Sequence, residues 1–310
     1  MIKFKKMGIV MRPLKDQFGC FARFNPGILL KDGIVHMLYR ATNYDIKDTY
    51  NYISYIGYAK LDLNTNILYD SNKKMIYPTL PEESRGCEDP RIVEFEGEYY
   101  VFYTAFDGKK ASVAIAKTDD FAEYEKLGIV KNYCWDKDAF IFPERINGKI
   151  AYLHRVEPSI QLDYFDSIEQ LLSDGHWENY KDKVESSTIM KCKYFWENRK
   201  IGGSMPPIKT DKGWILLYHA VDDNLIYRGS VALLDLENPS KVIARIPYPM
   251  LEPKEEYELN GDVNNVVFPE GGYIHEGELF IYYGAADKYI ALAKINVEEL
   301  FEELDNFKEQ

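Results

Sequence analysis

The stretch Gly86-Cys87-Glu88-Asp89-Pro90-Arg91-Ile92 places two carboxylates and a guanidinium directly before an apolar strand. Charged side chains that converge in a concave place are the usual hypothesis for an active site. Proline fixes its own φ and pushes the preceding residue out of the helical region, so we expect Asp89 to be extended at the mouth of the strand. Asp-Pro is also common turn chemistry, and the stretch taken alone favours a turn before a strand.

A repeated pattern of strands favours an active site over a plain turn at this stretch. Five times the chain shows a turn glycine, an apolar strand, a polar loop and a second apolar strand. The turn glycines are Gly33, Gly97, Gly148, Gly213 and Gly277. A further short strand precedes each glycine, in the fourth unit at Met205-Pro206-Pro207-Ile208. A fourth strand can lie in the link between units, for example at Met75-Ile76-Tyr77. Four-stranded units repeated radially form a β-propeller, which protects its sheet edges by closure.

The sequence therefore predicts an all-β fold, a five-bladed β-propeller, as a single domain over residues 1–310. The alternative is an irregular β-sandwich whose hairpins all carry a turn glycine. Few helices are expected: one short turn over Ser167 to Leu172 and a short C-terminal helix over Val297 to Phe307, where apolar residues recur at helical spacing.

Composition limits the partners and the compartment. The net charge of −12 argues against nucleic acid or an anionic membrane as a main partner, so an anionic substrate needs a local cationic pocket. The four cysteines form no C-x-x-C pair and the histidines no metal-ligand spacing, so we expect no metal site and no disulfide scaffold. The apolar run Met7 to Met11 is too short for a signal peptide core, and we expect a soluble, cytoplasmic protein.

A propeller would bring the polar residues of the repeat together. The first strand of each blade lines the central channel, and four of these strands begin at Asn25, Asp89, Asp138 and Asn265. The next strands end near the same axis, at Arg40, Thr104, Arg155, His219 and Gly284. An acidic residue then faces several cationic ones at the channel mouth, which favours an active site there.

At these residues the chain resembles glycoside hydrolase family 130, the β-mannoside phosphorylases and their hydrolytic relatives. The matching stretches, in order along nearly the whole chain, include Phe24-Asn25-Pro26-Gly27, Tyr39-Arg40-Ala41, Glu88-Asp89-Pro90-Arg91, Lys137-Asp138-Ala139, His154-Arg155, Tyr218-His219, Val266-Val267-Phe268-Pro269 and Tyr282-Tyr283-Gly284-Ala285-Ala286-Asp287. Each matching stretch alone is only a weak indication of the family, whereas the combination of all of them is specific for it. The resemblance independently implies a five-bladed propeller.

The resemblance implies that Asp89 is the proton donor, and that its proton passes through the 3-hydroxyl of the mannosyl ring. A general acid must keep its carboxyl protonated near neutral pH. Glu88 beside it would raise the pKa of Asp89 and Arg91 would lower it, and the sequence does not decide between them. The alternative for Glu88 and Arg91 is a structural ion pair at the channel wall.

The resemblance also implies a phosphate site and a sugar site. Arg155, Lys200 and His219 match phosphate ligands, with Lys137 and Tyr227 beside them. For His219 the alternative is a histidine packed at a strand end, and for Lys200 it is a solvated loop lysine. Asn25, Arg40 and Asp287 match positions that hold the mannosyl ring, and Arg91 and Tyr103 are further candidates for binding the substrate. For Asp287 a plain turn is an equal alternative, and for Tyr103 and Trp214 core packing is the stronger one.

The predicted function is an inverting β-mannoside phosphorylase. It converts a β-1,2-mannobiose or oligomannan, or a β-1,4-mannosyl sugar, and phosphate to α-mannose 1-phosphate and a shortened sugar. Inorganic phosphate is the co-substrate and no cofactor is expected. The resemblance allows a homo-oligomer, and it leaves the acceptor to loops over Leu61 to Arg85 and Gln161 to Arg199.

Three alternatives stay open. A hydrolase on the same scaffold would use an acid such as Glu144 or Glu157 to activate water in place of phosphate. A five-bladed furanosidase needs a carboxylate where this chain has Asn25. A non-catalytic sugar-binding propeller would not need the cationic cluster.

Overall fold

The computed structural model describes residues 1–43 and 53–309 of the chain. Its strands form five antiparallel sheets arranged as the blades of a propeller. The first strand is β1 (Lys5–Met11). The five-bladed prediction is therefore confirmed.

Each blade is built from consecutive strands, and the first strand after each link is the innermost one. Blade 1 contains β2 (Ala22–Lys31), β3 (Ile34–Thr42), β4 (Tyr55–Leu61) and β5 (Ile67–Asp70). Blade 2 contains β6 (Gly86–Phe95), β7 (Glu98–Phe106), β8 (Ala111–Thr118) and β9 (Glu125–Ile129). Blade 3 contains β10 (Asp136–Ile141), β11 (Ile150–Val156), β12 (Ile160–Phe165) and β13 (Thr188–Met190).

The last two blades depart from this simple order. Blade 4 contains β14 (Lys200–Gly203), β15 (Ile208–Thr210), β16 (Gly213–Val221), β17 (Tyr227–Leu234) and β18 (Val242–Arg245), with β14 and β15 both paired to β16. Blade 5 contains β19 (Val267–His275), β20 (Glu278–Ala285) and β21 (Tyr289–Asn296). Strand β1 pairs with β21 and completes this blade, which closes the ring by hydrogen bonds.

Two predicted strand positions are wrong. The fourth strand of blade 1 is β5, because a turn between Asp62 and Asn66 returns the chain at once, and Ile76 forms only an isolated bridge to Ile56. The innermost strand of blade 4 starts at Lys200 rather than near Met205. Pro206 and Pro207 offer no amide hydrogen to the ladder, so the strand is split around them into β14 and β15.

The helices are short and lie in the links. They are α1 (Ile168–Leu172), α2 (Asp174–Trp177), α3 (Val184–Ser187), α4 (Glu256–Leu259) and α5 (Val297–Asp305), with 3₁₀ turns at Pro81–Glu83, Tyr180–Asp182 and Phe195–Glu197. Ser167 caps α1 by accepting a hydrogen bond from the Gln170 amide, so the predicted turn is confirmed. Helix α5 confirms the predicted C-terminal helix. In the described part of the chain, no helix is long and apolar enough to cross a membrane.

Candidate active site

The innermost strands direct polar side chains toward the axis through a shared backbone feature. Asn25, Asp89, Asp138 and Asn265 all have positive φ, between 48° and 62°. At the first three, the pairing with the next strand shifts register, as at a β-bulge, which re-aims a side chain. The prediction of an extended Asp89 is wrong. Asp and Asn tolerate the left-handed region, and the bulge overrides the preference set by the following proline.

The mouth of the channel holds a cavity of about 240 Å³. All predicted site residues except Arg91 and Tyr103 line it, namely Asn25, Arg40, Asp89, Lys137, Arg155, Lys200, His219, Tyr227 and Asp287. Trp135, Asp138, Glu157, Val263, Val266 and Phe268 complete the lining. Residues far apart in sequence thus meet where the repeat predicted that they would.

Asp89 lies at the floor of this cavity and is 3% exposed. Its Oδ1 accepts hydrogen bonds from Asn25 Nδ2 at 2.8 Å and Arg40 Nη1 at 3.0 Å, and its Oδ2 accepts one from Lys137 Nζ at 3.4 Å. Burial acts to raise the pKa of Asp89, but Arg40, Lys137 and the Asn25 amide outweigh it and lower the pKa below its usual range. These neighbours therefore hold Asp89 as a carboxylate.

Arg40 joins the two neighbouring acids. Its Nη2 donates to Glu88 Oε1 at 2.8 Å, its Nη1 donates to Asp89, and its Nε donates to Ser54 Oγ at 2.9 Å. Glu88 thus pairs with Arg40 rather than with Arg91, which corrects the expected ion pair. The guanidinium holds both carboxylates in place through its planar fork.

The cationic wall of the cavity is organised by Asp138, which is 2% exposed. Its Oδ2 lies 2.6 Å from Arg155 Nε and 3.3 Å from His219 Nε2, and its Oδ1 accepts from Arg91 Nη2 at 3.1 Å. Burial acts to raise the pKa of Asp138, but Arg155, His219 and Arg91 hold it well below its usual range. No role was predicted for Asp138 from sequence, although its place at the start of an innermost strand, like that of Asp89, was the signal for one.

Glu157, like Asp138, was not predicted from sequence to be part of the anion site. Its Oε1 accepts hydrogen bonds from Arg155 Nη1 at 2.7 Å and from Lys200 Nζ at 2.8 Å. His219 stands apart from this pair, because burial lowers its pKa to about 4 and leaves the ring neutral at neutral pH. The wall therefore presents two fixed cations and one neutral imidazole.

Asp287 lies in the turn between β20 and β21 with φ at 49°, and it also lines the cavity. Asp287 is therefore both a turn residue and a cavity residue, so the two alternatives considered for it are compatible. Burial, with Asp89 and Asp262 nearby, raises the pKa of Asp287 to about 7 against the opposing effect of Arg40. Near neutral pH this carboxyl can donate a hydrogen bond to a hydroxyl or accept one.

Arg91 and Tyr103 lie outside the cavity, which corrects their expected contact with a sugar. The guanidinium of Arg91 is buried, donates from Nη1 to the Asp89 carbonyl at 3.0 Å, and lies 3.2 Å from Glu270 Oε1. Tyr103 is packed in a hydrophobic cluster, and its hydroxyl donates to Glu83 Oε1 at 2.7 Å. Trp214 is likewise a core residue, as expected.

The arrangement can bind a compact anion beside a polar ring. Arg155 and Lys200 supply positive charge, and Asn25, Arg40 and Asp287 supply planar polar groups suited to paired hydroxyls. Asp89 stands among them as a fixed carboxyl that could exchange a proton with a bound hydroxyl. Within residues 1–43 and 53–309, no group of three or more His, Cys, Asp or Glu side chains is placed to hold a metal ion.

Comparisons with known proteins agree along almost the whole chain. A family model for glycoside hydrolase family 130, described as beta-1,4-mannooligosaccharide phosphorylase, matches residues 15–306. A 1,2-beta-oligomannan phosphorylase from Thermoanaerobacter sp. is 36% identical over 97% of this chain and 99% of its own. A beta-1,2-mannobiose phosphorylase from the same organism is 37% identical over 94% of this chain and 96% of its own.

A solved structure shows the same fold. The beta-1,2-mannobiose phosphorylase from Listeria innocua, in complex with beta-1,2-mannobiose, superposes with a TM-score of 0.81 at 25% identity. The match covers 96% of this chain and 95% of the Listeria chain.

Proposed function

The chain belongs to glycoside hydrolase family 130, and on this premise we propose that it is an inverting β-mannoside phosphorylase. The substrate is a β-1,2-linked mannobiose or oligomannan, the linkage named for its two relatives at 36% and 37% identity. Phosphate converts it to α-mannose 1-phosphate and a sugar shortened by one mannose. Inorganic phosphate is the co-substrate and no cofactor takes part.

The observation that carries the proposal is the cationic wall beside Asp89. Arg155 and Lys200 line the same cavity as the carboxyl, and an arginine fork and a lysine point charge suit a phosphate dianion. A hydrolase would instead need a carboxylate free to activate water. Glu144 pairs with Lys209 away from the cavity lining, and the pKa of Glu157 is lowered by Lys200 and Arg155 against its burial, which makes it a weak base.

The proton balance of the reaction can be followed at named atoms. Phosphate attacks the anomeric carbon on the face opposite the leaving sugar, the new carbon–oxygen bond forms, and the glycosidic bond breaks. Asp89 gives its proton to the 3-hydroxyl of the mannosyl ring, and that hydroxyl gives its own to the leaving oxygen. The hydroxyl proton of the attacking monohydrogen phosphate then restores Asp89, so no net proton is taken up.

This scheme requires Asp89 to be protonated when substrates are bound, although its protein neighbours alone lower its pKa. Arg40 and Lys137 cause that lowering. A phosphate dianion bound beside Lys137 offsets its charge and adds negative charge near Asp89, and both effects raise the pKa of the carboxyl. Proton donation is thereby restricted to the complex that contains phosphate.

The cellular setting forms the last part of the proposal. Cys20, Cys87, Cys134 and Cys192 are all free thiols, which supports a reducing compartment. The proposal is a cytoplasmic enzyme that acts on small sugars, and a homo-oligomer stays a prediction.

The test is to incubate the purified protein with β-1,2-mannobiose, β-1,4-mannobiose and mannosyl-glucose, with and without phosphate, and to measure mannose 1-phosphate. We expect product only with phosphate, best from the β-1,2 substrate. Asp89→Asn should reduce kcat by about 10²- to 10⁴-fold, the range for loss of a general acid. Free mannose formed equally without phosphate would contradict the proposal and favour the hydrolase.

A further inference from the structure

One carboxylate oxygen lies between two cations of the cavity, Arg155 and Lys200. Glu157 Oε1 accepts both from Arg155 Nη1 at 2.7 Å and from Lys200 Nζ at 2.8 Å. Both cations belong to the wall that the proposed function assigns to phosphate, and the inference drawn from them rests on that assignment. A phosphate oxygen bound to the same two nitrogens would lie where Glu157 Oε1 lies now.

The side chains of Arg155 and Glu157 differ in how freely they can move. The Arg155 side chain is 4% exposed, and its Nε is held against Asp138 at 2.6 Å, so the guanidinium stays in place when Glu157 leaves. The Glu157 side chain is 46% exposed. Its carboxylate can therefore turn into water without leaving a buried, unpaired charge.

We infer that Glu157 is an internal competitor for phosphate. In this structure its carboxylate binds Arg155 and Lys200, and phosphate must displace it to bind. The two anions cannot share these nitrogens, because like charges repel at this distance. Phosphate prevails once it is abundant, since a dianion offers more acceptor oxygens than a single carboxylate oxygen.

Glu157 also stabilises the two cations that it binds. Without it, Arg155 and Lys200 would face each other with no anion between them. Burial and Arg155 lower the pKa of Lys200, whereas Glu157 acts to raise it. The carboxylate thus keeps the lysine charged until phosphate arrives, and in return it weakens the apparent affinity for phosphate.

The test compares Glu157→Gln with the wild type. The amide keeps the size of the side chain but only weak, neutral hydrogen bonds to the cations, so the KM for phosphate should fall by about three- to tenfold. The KM for mannobiose should stay unchanged, because the Glu157 carboxylate binds Arg155 and Lys200, the cations assigned to phosphate, and not to the sugar. Glu144→Gln is the matched control, since it removes the same charge from a side chain outside the cavity lining.

A binding measurement supports the kinetic one. The concentration of inorganic phosphate that gives half of the maximal thermal stabilisation, without sugar, should fall by the same factor in Glu157→Gln. Glu157→Ala should lower it at least as far, which keeps the test valid if the glutamine variant folds poorly. A phosphate KM that is unchanged or raised in folded variants would overturn the inference, because Glu157 would then stay bound or position the cations.

The outcomes separate this inference from the proposed function. If the wild type forms mannose 1-phosphate and the variants match it, only the competitor role fails. If the wild type neither uses phosphate nor is stabilised by it, the proposed function fails and the competitor role fails with it.

Discussion

Two fully buried glutamates each lie beside an arginine, and we predict opposite effects when each is changed to glutamine. Both oxygens of Glu197 are satisfied: Arg245 Nη2 donates at 2.7 Å, Tyr218 Oη at 2.8 Å, and the amides of Lys193 and Tyr194 at 2.9 and 3.1 Å. Glu270 lies 3.2 Å from Arg91 Nη1, but neither of its oxygens accepts a hydrogen bond in the described part of the chain. Only Glu197 therefore has hydrogen-bond donors directed at both of its carboxyl oxygens.

Burial raises the pKa of Glu270 well above its usual range, with Asp89 and Asp138 adding to the effect and Arg91 opposing it. Folded protein therefore keeps Glu270 protonated at a pH where the unfolded chain ionises it. A carboxyl of this kind contributes its full stability below the unfolded pKa, and that stability is lost as the pH rises toward the folded pKa. Above the unfolded value of about 4.3, the loss is about 1.4 kcal/mol per pH unit.

Glu270→Gln removes this loss, because the amide does not titrate. Relative to wild type, the free energy of unfolding of the variant should rise by about 2 kcal/mol between pH 4 and pH 6. Asp287, whose pKa is raised to about 7, titrates in both proteins and cancels from the difference. Glu197→Gln should instead lose about 3–5 kcal/mol, the usual cost of breaking a buried ion pair.

Urea unfolding at pH 4, 5 and 6, followed by tyrosine and tryptophan fluorescence, measures both effects. The reasoning is refuted if Glu270→Gln is destabilised by about as much as Glu197→Gln and the loss is the same at each pH. That result would mean that Glu270 is ionised and pairs with Arg91.

Two further predictions concern the site. Trp135 lines the cavity and is 44% exposed. Trp135→Ala should therefore raise the KM for mannobiose by about tenfold and leave the KM for phosphate unchanged. Equal effects on both KM values would contradict a contact between Trp135 and the sugar. Tyr103→Phe should leave both KM values unchanged but lower the free energy of unfolding by about 1 kcal/mol, because only the hydrogen bond to Glu83 is lost. A raised KM for mannobiose would instead indicate that Tyr103 contacts the sugar.

The blade pattern and the converging side chains could be predicted because both follow from periodicity. Alternating apolar strands with turn glycines specify the hairpins, and a closed ring then fixes which ends meet at the axis. Asn25, Arg40, Asp89 and Arg155 were placed correctly by this argument alone. The resemblance to a family added Lys200, which the strand pattern had missed.

The details that escaped prediction depend on contacts between blades. The bulge at Asp89 reverses the preference of a residue before proline, and local sequence gives no sign of it. Arg91 follows Asp89 closely but is turned away, toward Asp138 and Glu270 on other blades. Glu157 becomes a partner of Lys200 only when blades 3 and 4 are side by side. Charges that find their partners through tertiary packing cannot be paired from sequence separation.

Strand β1, which closes the ring, also affects when the cavity can form during synthesis of the chain. Ile9 pairs with Ala291, so β1 leaves the ribosome long before its partner exists. Until β21 is made, β1 carries unpaired amides and carbonyls, and four blades can form while the ring stays open. The cavity needs Asp287 from the turn that leads into β21, together with Asn25 and Asp89 from the first two blades. A nascent chain therefore completes the cavity only after the turn before β21 has been made, at the stage when β1 gains its partner.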